Sequence, residues 1–137
     1  MAIVASPEYL RSAGTPDGAA DLPGHSCLRL RRSSGLIASW RLIEDRKPIE
    51  VVVNGPLIAN DFPTLVGAAC DGLGLAQVPA PVAQNGIDAG RLVSVLPRLA
   101  PMTPGVFLYH PGRRQVLPKL RAFIEHIKAA NGRLLDP

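Results

Sequence analysis

At 137 residues with a net charge of +4 and a pI near 9.6, the chain fits one ordinary domain with a modest core, and its charge permits nucleic-acid contact without demanding it. The apolar share of 47% is that of a globular protein, yet aromatics at 4% leave core packing to Leu, Val, Ile and Ala. No stretch approaches the roughly eighteen consecutive apolar residues of a membrane span, and the N-terminus lacks the basic and then apolar pattern of a secretory signal. The expectation is a cytoplasmic protein with no membrane partner. Fourteen prolines and thirteen glycines imply short elements with many turns.

Residues 3–5 read as a short strand, and Pro7 opens a helical turn through Tyr9 and Leu10 before the breakers Gly14, Pro16 and Gly18. Asp17 to Leu22 suggests another helical turn, followed by a strand at 27–31 in which alternation puts Leu28 and Leu30 inside and the arginines outside. Ser33, Ser34 and Gly35 form a loop, Ala38 to Ile43 a strand, Glu44 to Pro48 a charged turn, and Glu50 to Asn54 a β-branched strand. The segment NDFPTLVGAACDGLGLAQVP at 60–79 is the clearest unit. Asn60 or Asp61 caps a helix that tolerates Pro63 in its first turn, where a missing amide loses no intrahelical bond. Phe62, Leu65, Val66 and Ala69 recur at helical spacing, Gly72 and Gly74 stop the helix, and Leu75, Ala76 and Val78 read as a buried strand. Beyond it lie a short helix at 81–85, a strand at 92–96, a proline-rich connection at 97–104 and a strand at 106–110. A closing helix runs from about Gln115 to Ala130, with Val116, Leu120, Phe123, Ile124 and Ile127 on one face.

The chemistry-bearing residues are scattered. Cys27 and Cys70 have no CxxC or metal spacing and read as small buried residues rather than a redox pair. His25, His110 and His126 form no recognisable triad, and no GxSxG turn is present. The Gly72–Gly74 pair follows a helix where a dinucleotide-binding loop would open one. Arg29, Arg31 and Arg32 make the densest basic cluster, but no aromatic residues interleave for base stacking and no helix-turn-helix is visible, so direct nucleic-acid contact is not expected. Nothing calls for a cofactor, a metal or a catalytic role.

GAACDGLGLAQVP at 67–79, preceded by VASPEYL at 4–10 and ADLPGHSCLRLR at 20–31 and followed by GRLVSVLP at 90–97 and FLYH at 107–110, resembles the C-terminal effector-binding region of LysR-type transcriptional regulators. The resemblance runs from about Ile3 to Ala130 and rests on the order of the segments more than on any one of them. It implies an α/β fold, a type 2 periplasmic-binding-protein-like subdomain with a mixed sheet flanked by helices and a C-terminal amphipathic helix. Residues 3–105 would form the second effector-binding subdomain, 106–131 a strand and helix belonging to the first, and 132–137 a tail. Family members are longer, with a winged helix-turn-helix and the first part of the effector domain ahead of this region.

By the same resemblance the ligand is a small, acidic effector held between two subdomains. Arg31, Arg32 and Ser33 at a strand exit and Asn60, Asp61 and Phe62 at a helix start would face that cleft, with Ser6 and His110 near the crossing strands. The helix N-terminus adds free amides and a positive dipole end suited to a carboxylate. Each residue also has a structural explanation: Asn60 or Asp61 as a cap, Ser33 as a turn, His110 as a strand end. Asp61 is awkward in the binding role, because its charge competes for the same amides. The first functional reading is an effector-sensing fragment that forms a homo-oligomer. The alternative is a stand-alone oligomerisation or interaction module, and a small enzyme using His110 or Cys70 ranks last.

Overall fold

The computed structural model describes residues 1–102 and 118–130. It divides into two compact units, Met1–Thr103 and Pro104–Pro137. The first unit holds strands β1 (Ala2–Ala5), β2 (Cys27–Leu30), β3 (Trp40–Glu44), β4 (Lys47–Val51), β5 (Ile58–Ala59), β6 (Leu75–Val78) and β7 (Val93–Val95), with helices α1 (Pro7–Ala13), α2 (Phe62–Cys70) and α3 (Ala80–Asp88). Short 3₁₀ turns cover Ala19–Gly24 and Pro97–Leu99. Of the second unit, helix α4 (Pro118–Ala130) is described.

Five strands form one mixed sheet in the order β5-β2-β6-β1-β7. Strands β5, β2 and β6 run parallel, and β1 is antiparallel to both of its neighbours. The run β5–α2–β6 is a crossover unit whose helix begins at one end of the sheet and returns the chain to the other. Two successive residues of a strand point to opposite faces, and the sequence supplies apolar side chains to both. Ile3, Ala5, Cys27 and Leu75 enter one cluster, where Trp40 and Leu42 of the β3–β4 hairpin cover them. Ala2, Val4, Leu28, Ala76 and Val78 enter the other, covered by Leu65 and Ala69 of α2 and Ala83 of α3. Burial on both faces makes these strands short apolar runs rather than alternating ones.

Local signals set the boundaries of α2. The Asp61 carboxylate accepts from the Thr64 amide at 2.7 Å and the Thr64 hydroxyl at 2.9 Å, closing the N-terminus. At the other end Gly72 takes φ +78°, its amide reaches the Ala69 carbonyl at 3.1 Å, and the Leu73 amide reaches Ala68 at 3.0 Å, a Schellman stop. Gly74 has a different reason to be glycine: a Cβ there would collide with the Ser26 carbonyl, which accepts the Leu75 amide at 2.8 Å.

Parts of the fold depart from the sequence reading. The three valines at 51–53 do not centre a strand. The two-residue turn at Asp45–Arg46 sets the register Glu44↔Lys47 through Trp40↔Val51, so the paired strand is Lys47–Val51 and includes Pro48. Proline is tolerated there because a two-stranded ribbon leaves its missing donor on the outside. Residues 54–59, from the end of the expected strand onward, run beside β2, whose Cys27, Arg29 and Arg31 amides donate to Asn54, Leu57 and Ala59 at 2.8, 3.0 and 2.7 Å. Alternation also misplaces Arg29, which is half-buried because the hairpin layer covers that face. The strand expected at 106–110 lies outside the described residues.

Candidate functional site

The parallel strands β2, β5 and β6 all end on one side of the sheet, and an open α/β sheet binds ligands in the crevice beyond such ends. Leu30 pairs with Ala59 in register, so the residues that follow each strand emerge side by side. Six of the eight expected site residues, Arg31, Arg32, Ser33, Asn60, Asp61 and Phe62, therefore gather at this end. Arg31 bridges to Ile37, and Arg32 exchanges backbone bonds with Leu36 at 2.9 Å and Gly35 at 2.8 Å, which makes residues 31–37 a projecting β-turn finger. Arg31, Arg32 and Ser33 are exposed on it, and among the described residues neither guanidinium has an ion-pair partner.

Asp61 settles into the capping role. Its two bonds from Thr64 hold its carboxyl below the usual carboxylate range, and the charge occupies the helix N-terminus that an anionic ligand would use. Phe62 is half-buried and packs on the helix-side cluster, while Asn60 is exposed. Ser6 is not near this end. It follows the last residue of β1, which runs antiparallel to β6, so the strand's length of roughly 13 Å separates it from the strand exits. There Ser6 is 3% exposed and its Oγ accepts the Tyr9 amide at 3.1 Å as the N-cap of α1. His110 lies outside the described residues.

The two cysteines are free, and the sheet lies between them. Cys27 belongs to the hairpin-side cluster and Cys70 packs on the helix-side one, so no disulfide can join them without breaking the layers. Burial pushes the Cys27 thiol up to about 12. The Tyr9 hydroxyl accepts the Ser26 amide at 2.9 Å and lies 3.1 Å from His25 Nδ1, and burial raises its pKa. This network ties α1 to the start of β2.

Sequence reasoning missed one feature. A recess of about 190 Å³ opens beside β2, lined by Arg29, Ile37, Ala38, Ser39, Val52, Val53 and Asn54. Arg29 contacts Asn54 Oδ1 at 3.5 Å and the Gly55 carbonyl at 3.4 Å, both near the limit of a hydrogen bond, and its Nε is buried with no acceptor among the described residues. The signal available in sequence was an arginine inside a strand whose flanks are apolar on both faces, which alternation alone assigned to solvent.

A profile of the LysR substrate binding domain matches residues 1–132. The chain belongs to the LysR substrate-binding domain family. The HTH-type transcriptional regulator PgrR of Escherichia coli is 34% identical over 129 residues, covering 93% of this chain and 43% of PgrR. YagP, an Escherichia coli protein described as containing a LysR family substrate binding domain, is 30% identical over 105 residues, 76% of this chain and 77% of YagP. Among solved structures, the regulatory domain of AphB from Vibrio vulnificus superposes with a TM-score of 0.72 at 27% identity, covering 95% of this chain and 64% of that one. The CrgA regulatory domain from Neisseria meningitidis gives 0.64 at 25% identity, covering 74% and 49%. This LysR domain therefore has the type 2 periplasmic-binding-protein-like α/β fold, with its mixed sheet flanked by helices. It spans about two fifths of the length of the first curated relatives it matches, 42% and 43% for the first two. No described helix is long and apolar enough to cross a membrane.

Proposed function

We propose that the chain is the effector-sensing region of a cytoplasmic LysR-type transcriptional regulator, without enzymatic activity or nucleic-acid contact of its own. In this reading it binds a small acidic molecule at the exits of the parallel strands and associates with further copies. The family match over residues 1–132 carries the reading. The grouping of Arg31, Arg32, Ser33 and Asn60 at one sheet end supports the position of the ligand, and two exposed arginines without ion-pair partners there support its charge. Within the site Arg31 and Arg32 attract the acid, Ser33 and Asn60 offer hydrogen bonds, and Phe62 backs the wall. Asp61 organises α2, and His110 is a further ligand contact that the family resemblance suggests. Residues 3–105 act as the second effector subdomain, 106–131 complete the first, and 132–137 form a tail. Ligand-biased closure of two subdomains then alters how an oligomer presents its DNA-binding parts.

Native mass spectrometry of the purified chain tests this directly. A species at twice the 14.5 kDa chain mass carrying an acid-sized adduct is expected, with the adduct lost in an Arg31→Gln, Arg32→Gln double variant. A monomer that acquires no adduct from a panel of small carboxylic acids would overturn the sensing role. A second reading is a stand-alone oligomerisation or interaction module without ligand sensing. The match to YagP favours it, since the aligned segment makes up 77% of that protein. Oligomers that form without any adduct, or with a longer LysR-type regulator as partner, would select it.

A further inference from the structure

The recess beside β2 combines features that a mere surface dent lacks. Its one charged lining residue is Arg29, whose Nη1 and Nη2 make only marginal contacts and can turn to an acceptor in the recess, while its Nε is shielded from solvent and has no acceptor among the described residues. A guanidinium carries five donors in a fixed fork and is matched by a planar carboxylate. Around it stand the neutral polar groups of Asn54 and Ser39, and the remaining lining, Ile37, Ala38, Val52 and Val53, is aliphatic. A polar anchor at one side and an apolar wall at the other is the usual make-up of a small-ligand site. At about 190 Å³ and half open to solvent, the recess has room only for a ligand of a few carbons.

We propose that this recess is a binding subsite for small aliphatic monocarboxylates, with Arg29 holding the carboxylate and Ile37, Val52 and Val53 flanking the chain. Charge narrows the class. Glu50 accepts from Ser39 Oγ at 3.0 Å at the rim and is balanced by Arg41 at 3.3 Å. A dianion such as a phosphate would meet that carboxylate with only one guanidinium in its favour, whereas a monoanion with an apolar tail meets Arg29 and the valines. The subsite lies on the hairpin side of the sheet and does not use Arg31, Arg32 or Asn60, so it stands apart from the strand-exit site proposed above. Ile37 sits in the finger that carries Arg31 and Arg32, which gives an occupied recess a direct structural route to that finger.

The test is a titration of the ¹⁵N-labelled chain with sodium isovalerate, following the arginine Nε–H resonances against sodium chloride of equal ionic strength. A saturable shift of the Arg29 resonance is expected with isovalerate and not with chloride. Arg29→Gln should abolish saturable binding. Val52→Glu should weaken it at least tenfold, and because Val52 is 76% exposed this second variant keeps the fold even if the first does not. An Arg31→Gln, Arg32→Gln variant should leave the shift at Arg29 unchanged. An Arg29 resonance that does not move, moves equally in chloride, or saturates identically in the Val52→Glu chain overturns the subsite. Shifts confined to Arg31 and Arg32 would likewise remove it, while leaving the strand-exit site standing.

Discussion

Asp61 shows how one residue can look like a ligand contact and serve as a fastener. Its carboxylate takes both the amide and the hydroxyl of Thr64, and its pKa is lowered because those bonds favour the charged form. A carboxyl depressed on folding adds stability above its unfolded pKa of roughly 3.9, and loses it as pH falls through the lower folded value. Asp61→Ala is accordingly expected to lower Tm at pH 7, with Asp61→Asn falling between the two because it keeps a capping acceptor. The gap between wild type and Asp61→Asn should shrink as pH drops below about 4. Differential scanning calorimetry across pH 2.5–7 checks this; a gap independent of pH would mean that the charge contributes nothing. Arg29 is the converse case, a residue that alternation would leave in solvent and that the hairpin layer partly covers.

At the scale of elements, the β3–β4 hairpin is fixed by its turn and by one glutamine. Asp45 and Arg46 take φ of +48° and +63°, the left-handed pair of a two-residue hairpin turn in which glycine normally follows the aspartate. Arg46→Gly should therefore stabilise the first unit by about 0.5–1 kcal/mol, since a non-glycine residue is disfavoured in that region by more than glycine's extra chain entropy. Urea unfolding monitored at Trp40 measures it, and a lower midpoint would show that the Arg46 side chain has a compensating contact. The hairpin is also held to the sheet by Gln77, whose amide oxygen accepts the Arg41 amide at 3.2 Å and whose amide nitrogen donates to the Arg41 carbonyl at 2.7 Å. That pairing imitates a strand and explains why a polar residue interrupts the apolar run of β6.

At the scale of the molecule, the seven strands and two apolar clusters found among the described residues fall within Met1–Thr103. A chain ending at Thr103 should then fold by itself and show one cooperative thermal transition by circular dichroism, as small single-core domains do. A broad, non-cooperative melt would mean that the core needs residues from the second unit. In α4, Phe123 is 53% exposed although it belongs to the apolar stripe seen in the sequence.

The αβ unit at 60–79 was legible from its cap, its glycine stop and its apolar spacing, because those signals act between residues a few positions apart. The ordered motifs likewise pointed to the LysR family and to the α/β fold, and the profile match and structural neighbours agree. What the tertiary structure decided were the relations between distant segments. It placed Ser6 at the sheet end away from Arg31 because β1 inserts antiparallel beside β6, a pairing that local pattern cannot encode. It drew residues 54–59 alongside β2, separated the two cysteines by a sheet, and shifted β4 by the register of its turn. Short-range hydrogen bonding and hydrophobic periodicity are properties of sequence, whereas the burial of Arg29 depends on which layer happens to cover its face.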